Sequence, residues 1–249
     1  MKILVFHFPH ASRDILFGEE ELINLSHLMN IGSYGFLHID ETKCPSWLVL
    51  SRKETDNDEL TLVEYLIEAG KECFVIGNVP ETLIGKTQNP DGYQNLISGS
   101  IPEETDDFHV LKKVITTQSW DYCQFHGNIN ESNRLKKDTY LHFDTKMGEV
   151  LGLLEDETMI VFVAEIADEE NSNFYVLAVP NNPIMGERET KEANDLPPTI
   201  LELAGYPLPE KIEGESWVAG MDLGDNSGSG LTEEEEAILR ERLSGLGYI

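Results

Sequence analysis

Basic residues are scarce in this sequence. Lys and Arg number 18 against 46 Asp and Glu, a formal charge of −28. Binding to nucleic acid depends on Lys and Arg displacing counterions from phosphates, so this balance excludes nucleic acid as a partner and opposes anionic membranes. The acidic residues are spread along the chain rather than gathered in a tail, the pattern of a hydrated surface. Cysteine is scarce too. Cys44, Cys73 and Cys123 stand far apart with no Cys-x-x-Cys pair, which argues against a disulfide framework or a zinc finger and fits a reducing compartment. No apolar stretch reaches membrane-spanning length, and Met1-Lys2-Ile3-Leu4-Val5-Phe6 is too short for a signal h-region. The expectation is a cytoplasmic protein with no membrane insertion. Internal repeats are lacking, and Gly92 to Gly99 has no Lys-Ser/Thr of a phosphate-binding loop.

What is present is an alternation of short apolar runs with helical patterns. A strand over Ile3 to Phe6 leads into a His-Phe-Pro-His loop, and Leu22, Leu25, Leu28 and Met29 mark a helix closing at Gly32. Leu60 to Ala69 predicts a second helix, followed by a strand over Cys73 to Ile76. Residues 77–106 are rich in Pro, Gly and Asn and read as loop. A helix near Val110 to Thr117 precedes a strand from Tyr122 to Phe125, where Cys123 is expected in the core. Tyr140, Phe143, Met147, Val150, Leu151 and Leu154 recur at helical spacing. Thr158 to Val163 is nearly continuous apolar sequence, as in a parallel strand buried on both faces. A strand over Tyr175 to Val179 and a helix from Pro197 to Ala204, ended by Gly205, complete the pattern. Strands alternating with helices predict a doubly wound α/β fold with a mainly parallel central sheet flanked by helices and no separate large cap. At 249 residues the chain suits one domain over 1–222, then a Gly/Ser linker at 223–231 and a helix at 232–249. Thr232 with Glu235 forms a capping box for that helix, whose apolar face is Ile238, Leu239, Leu243 and Leu246.

Several segments, in order, resemble the alkaline phosphatase superfamily, particularly its type I phosphodiesterase and nucleotide pyrophosphatase-like members. They are Asn24 to Gly35, Thr61 to Val79, Asp195-Leu196-Pro197-Pro198-Thr199-Ile200-Leu201 with Pro207, Pro209 and Gly214, and Glu241 to Tyr248. The resemblance implies the fold just described. It also implies where chemistry should lie, because open α/β sheets place it beyond the carboxyl ends of their strands.

At those positions the sequence departs from the family pattern. The metal-binding Asp of the first strand maps onto Pro9, and the nucleophile, just before an x-Pro-x-Trp motif, onto Lys43 before Cys44-Pro45-Ser46-Trp47. The central Asp-Arg-x-x-His ligand pair maps onto Asn133 and Lys137. The Ser-Asp-His-Gly after the diagnostic strand maps onto Ala164-Glu165-Ile166-Ala167, so Asp becomes Glu165 and His becomes Ile166. Between Ala167 and Tyr175 no His supplies a final ligand. Zinc needs three or four deprotonated ligands, and a metal-activated hydroxyl needs a hydroxyl. The resemblance therefore implies a degenerate member without catalytic residues, cofactor or bound metal, retained for a protein-binding, scaffolding or assembly role with a protein partner. Pro9, Lys43, Asn133, Lys137, Glu165 and Ile166 should converge at one pocket mouth, with Glu165 paired to Lys43 or Lys137.

Two alternatives stay open on the residues alone. Lys43 is either a fixed cation standing in for metal or a desolvated amine nucleophile. His7 and His10, with His126 and Glu165, could form a rebuilt metal site, which would make the protein a metal-dependent phosphodiesterase or nucleotide pyrophosphatase with a remodelled centre.

Overall fold

The computed structural model describes residues 1–18, 22–39, 49–52, 59–77, 107–130, 132–167, 172–181 and 185–220. The linker, the C-terminal helix, Lys43 with its Cys-Pro-Ser-Trp motif, and most of the expected 77–106 loop lie outside these residues. Strand β1 (Lys2–Ala11) is followed by helices α1 (Arg13–Leu16) and α2 (Ile23–Ile31), β2 (Ser33–His38), and the small pair β3 (Val49–Arg52) and β4 (Glu59–Thr61). Then come α3 (Leu62–Glu68), β5 (Cys73–Gly77), α4 (Asp107–Thr117), β6 (Tyr122–His126), α5 (Lys137–Leu151), β7 (Thr158–Ile166) and β8 (Ser172–Ala178). Short edge strands β9 (Gly186–Glu187) and β10 (Lys191–Glu192) lead to α6 (Leu196–Leu203).

Eight strands form the central sheet in the order β10-β2-β8-β7-β1-β6-β5, with β9 also on β2. Among them β8 alone runs antiparallel to its neighbours, β7 and β2. The rest pair in parallel, so the sheet is mixed and mostly parallel, as the alternation of elements requires. Successive side chains of β1 divide between two cores. Leu4, Phe6 and Phe8 join Leu25, Leu28, Leu111, Phe143 and Met147 from α2, α4 and α5. Ile3 and Val5 join Leu62, Leu66, Leu196 and Ile200 from α3 and α6.

The differences from the sequence reading have local causes. β1 continues through His7-Phe8-Pro9-His10, read as a loop because a Pro cannot donate to a ladder. The structure accommodates Pro9 at a register shift between Phe8 and Ala11, where His10 takes φ 54. The helix expected from Leu60 begins only at Leu62, because Thr61 and Glu64 form a capping box. β2 lies just beyond Gly32, where the sequence reading placed no strand.

Helix α2 starts without a side-chain cap of its own. Asp144 of α5 supplies one from outside, accepting from the backbone N–H of Asn24 at 3.1 Å and of Leu25 at 2.9 Å. Gly148 allows the close approach, since a Cβ there would run into the Asn24 side chain. The two helices are thus locked to each other on one face of the sheet.

Candidate functional site

The alternation of β6 sends Tyr122, Gln124 and His126 to one face and Cys123 and Phe125 to the other, with Tyr122 in the α3/α6 core and Cys123 and Phe125 in the opposite one. His7 of β1 stands beside His126, register partner to partner. Glu165 projects from β7, near the end of the next strand over. These side chains form a continuous polar column. The Tyr122 hydroxyl donates to Gln124 Oε1 at 2.6 Å, and Gln124 Nε2 meets His126 Nε2 at 2.6 Å. His126 Nδ1 faces His7 Nδ1 at 2.8 Å, and His7 Nε2 lies 3.0 Å from Glu165 Oε1. That last contact is a close approach and not a well-aligned hydrogen bond.

One set of protons satisfies the column from Tyr122 to His7 Nδ1. An amide nitrogen only donates, so His126 Nε2 accepts and its proton sits on Nδ1. His126 Nδ1–H then donates to His7 Nδ1, and the proton of His7 sits on Nε2, facing a carboxylate. Gln124 and His126 are fully buried and His7 is 3 % exposed, whereas the Glu165 side chain is 41 % exposed, so the column opens to solvent at Glu165. Burial, followed by the neighbouring His7, pushes the His126 imidazole well below its ordinary value and keeps it neutral. Burial by itself would raise the Glu165 carboxyl, but the contact with His7 and the charges of His7 and His10 outweigh it and hold it below the ordinary value. Opposite Glu165 on β8, Asn173 is buried, and its Nδ2 has no hydrogen-bond partner.

The residues singled out in the sequence take several different positions. Pro9 is buried near the end of β1, and Ile166 is 4 % exposed in the apolar core under α1, α2 and α5. Glu165, its chain neighbour, turns to the other face. Asn133 sits in the turn before α5, donating to the Asn128 carbonyl at 3.0 Å and accepting from the Asn130 N–H at 2.8 Å. Lys137 opens α5 on the exposed surface. The expected partner of Glu165 was Lys43 or Lys137; among the described residues its ion pair is with His7, and Lys43 lies outside them. His7 lies on the adjacent strand, with His10 beyond it.

Among the described residues the donors do not make up a family metal centre. Pro9 and Ile166 offer none, and each imidazole nitrogen of His7 already faces a polar neighbour. Among the described residues no group of three or more His, Cys, Asp or Glu is disposed to hold a metal ion. Of the alternative ligand set His7, His10, His126 and Glu165, the structure brings His7, His126 and Glu165 together in the polar column, while His10 is exposed near the end of β1. Sequence reasoning missed Tyr122, Gln124 and Asn173. The every-other-residue spacing of Tyr122, Gln124 and His126 was the available signal.

Structural comparison places the fold. The chain superposes on the lipoteichoic acid synthase LtaP from Listeria monocytogenes with a TM-score of 0.59 at 11% identity, covering 86% of this chain and 74% of that one. It matches the phosphonate monoester hydrolase of Agrobacterium radiobacter with a TM-score of 0.58 at 11% identity, over 95% of this chain and 82% of the other. The fold is alkaline phosphatase-like. Murine ectonucleotide pyrophosphatase/phosphodiesterase 5 is similar at a TM-score of 0.60 and 8% identity, over 90% of this chain and 100% of the other. No family sequence model and no curated protein matches the chain. In this alkaline phosphatase-like frame the His7–Glu165 end of the column lies at the carboxyl ends of β1, β6 and β7, the edge where open α/β sheets place their sites.

Proposed function

We propose that this alkaline phosphatase-like chain is a non-catalytic relative that works by binding another protein, in a scaffolding or assembly role. The observation that supports the reading is the state of Glu165. It is the one carboxylate among the mapped positions, and it is engaged by His7 behind it. A two-metal phosphohydrolase needs such a carboxylate turned outward to a cation, with further ligands and a hydroxyl nucleophile around it. The mapped positions supply hydrocarbon at Pro9 and Ile166, amide at Asn133 and ammonium at Lys43 and Lys137. A surface of net charge −28 favours a partner with a basic face.

One observation favours the second reading, a metal-dependent phosphodiesterase or nucleotide pyrophosphatase with a rebuilt centre. His7, His126 and Glu165 do meet, and His10 is near enough to act on Glu165. To ligate one ion, however, His7 and His126 must give up the contact between their Nδ1 atoms. The test is turnover of bis-p-nitrophenyl phosphate and a dinucleotide by full-length protein with added zinc or manganese, beside zinc titration by calorimetry. The first reading expects no turnover above buffer and no stoichiometric zinc. Turnover abolished by Glu165→Gln or His7→Ala would overturn it in favour of the second.

A further inference from the structure

Helix α2 carries no Asp, Glu, Lys or Arg, in a chain that is 26% charged. Its outward stripe is Ile23, His27, Asn30 and Ile31, and the two isoleucines are 68 % and 43 % exposed. Asp144 holds the start of α2 against the middle of α5, and Ile31 shares a cavity wall with Leu151 and Leu154 at the end of α5. The two helices therefore run side by side in the same sense. Leu141, one turn before Asp144 on the same side of α5, is exposed, and so is Leu153 just past the end of that helix. An exposed stripe of isoleucine and leucine without charge has the composition of the centre of an interface. We propose that its occupant is the chain's own segment 232–249, read from the sequence as an amphipathic helix, laid along α2 and α5 as an intramolecular strap. No residue of the polar column takes part, so the contact stands or falls apart from the function proposed above.

Charge selects this face and sets the direction of the strap. The segment opens with Glu233-Glu234-Glu235-Glu236, and its apolar residues Ile238, Leu239, Leu243 and Leu246 are interspersed with Arg240 and Arg242. Lys136 and Lys137 stand exposed at the start of α5, and Asp156 lies past its end on the rim of the cavity that Ile31 lines. A strap running in the same sense as α5 brings glutamates toward lysines and arginines toward Asp156. The reverse direction would set like charges together at both ends. The other side of the sheet, around α3 and α6, exposes Glu68, Glu202, Glu210 and Glu213, which repel four glutamates.

The dimensions agree. At 1.5 Å per residue, Ile23 and Ile31 are about 12 Å apart along α2, and Leu239 and Leu246 are about 10 Å apart along the segment. Trp217 packs on Tyr175 of β8, and α2 covers the opposite face of the same strand. From β8 only β2 intervenes before the sheet edge at β9 and β10. Residues 221–231 can span about 36 Å when extended, enough to round that edge.

The test is amide exchange and methyl NMR on the full-length protein. Amides of residues 238–246 should exchange about tenfold or more slowly than in an Ile23→Asp, Ile31→Asp double variant, given the apolar surface that two isoleucines and their partners bury. Leu243→Ser, which alters the strap and leaves the described body untouched, should quicken the same amides and shift the methyls of Ile23 and Ile31. Lys136→Glu with Lys137→Glu should quicken them by about threefold at low salt. Fast exchange across 238–246 in the unaltered chain would overturn the proposal. So would slow exchange that survives both the isoleucine and the Leu243 changes, Ile23 and Ile31 methyls that ignore Leu243→Ser, or protection that grows with protein concentration, the mark of a strap exchanged between copies.

Discussion

The Nδ1 atoms of His7 and His126 face each other at 2.8 Å across the β1–β6 pair. Only one of them can carry a proton in that contact, so the protonation of either ring is set by the other. His126, neutral by burial, is the donor, and its Nε2 is already given to Gln124.

This pair makes stability depend on pH. The folded value for His126 lies well below its ordinary one, so the unfolded chain takes up this proton more readily. Its contribution is full above the unfolded value of about 6.5 and is lost progressively as pH falls below it. The depressed Glu165 carboxyl adds a second loss, in the same direction, as pH falls through the ordinary carboxylate range. Urea midpoints should therefore drop between pH 7 and pH 5, and the drop should be smaller in His126→Gln. A midpoint that rises on acidification contradicts the assignment. His126→Ala, which strands the Gln124 amide and His7, should cost about 2–4 kcal/mol at pH 7.

Asp144 caps a helix to which it does not belong. Asp144→Ala leaves the Asn24 and Leu25 N–H groups without the carboxylate and should cost about 2–4 kcal/mol, with Asp144→Asn costing less. Urea denaturation measures it. Amide exchange should quicken first in α2, and equal quickening across the whole sheet would show that the cap is not local.

Gly77 ends β5 at φ 98, and a Cβ there would enter the space of the His126 carbonyl oxygen. Gly77→Ala should destabilise by more than about 2 kcal/mol, combining positive-φ strain with a backbone clash. It should also disturb the His126 ring resonances. A variant with wild-type stability would show that the β5–β6 edge yields easily.

Burial raises the Cys73 thiol to about 12 and pushes Cys123 higher still. Thiolates, not thiols, react with disulfide reagents. Native protein should therefore leave both cysteines unmodified by Ellman's reagent near pH 8, as mass mapping would show, and both should react once urea unfolds the chain.

Much of the fold was legible in the sequence because period and punctuation are local signals. The apolar run Thr158 to Val163 marks a strand buried on both faces, Pro197 and Pro198 sit in the first turn of α6, and Gly205 follows its end. The expected end of β1 failed for an equally local reason. A proline inside a central strand is tolerated only where the ladder is already broken, and the sequence does not announce a bulge. The candidate site was legible as residue types, His7, His126 and Glu165, but not as a contact set.

The sequence by itself determined the alternation of strands and helices and the mainly parallel sheet, since each depends on residue identity or on spacing within one segment. Only the tertiary structure decided that Glu165 pairs with His7, that Gln124 orients His126, and that Asp144 caps α2. His7 and His126 are 119 residues apart along the chain, and Asn24 and Asp144 are 120 apart. Contacts over such separations follow from strand order and register, which place β1 between β6 and β7 and so bring one side chain from each strand to the same face.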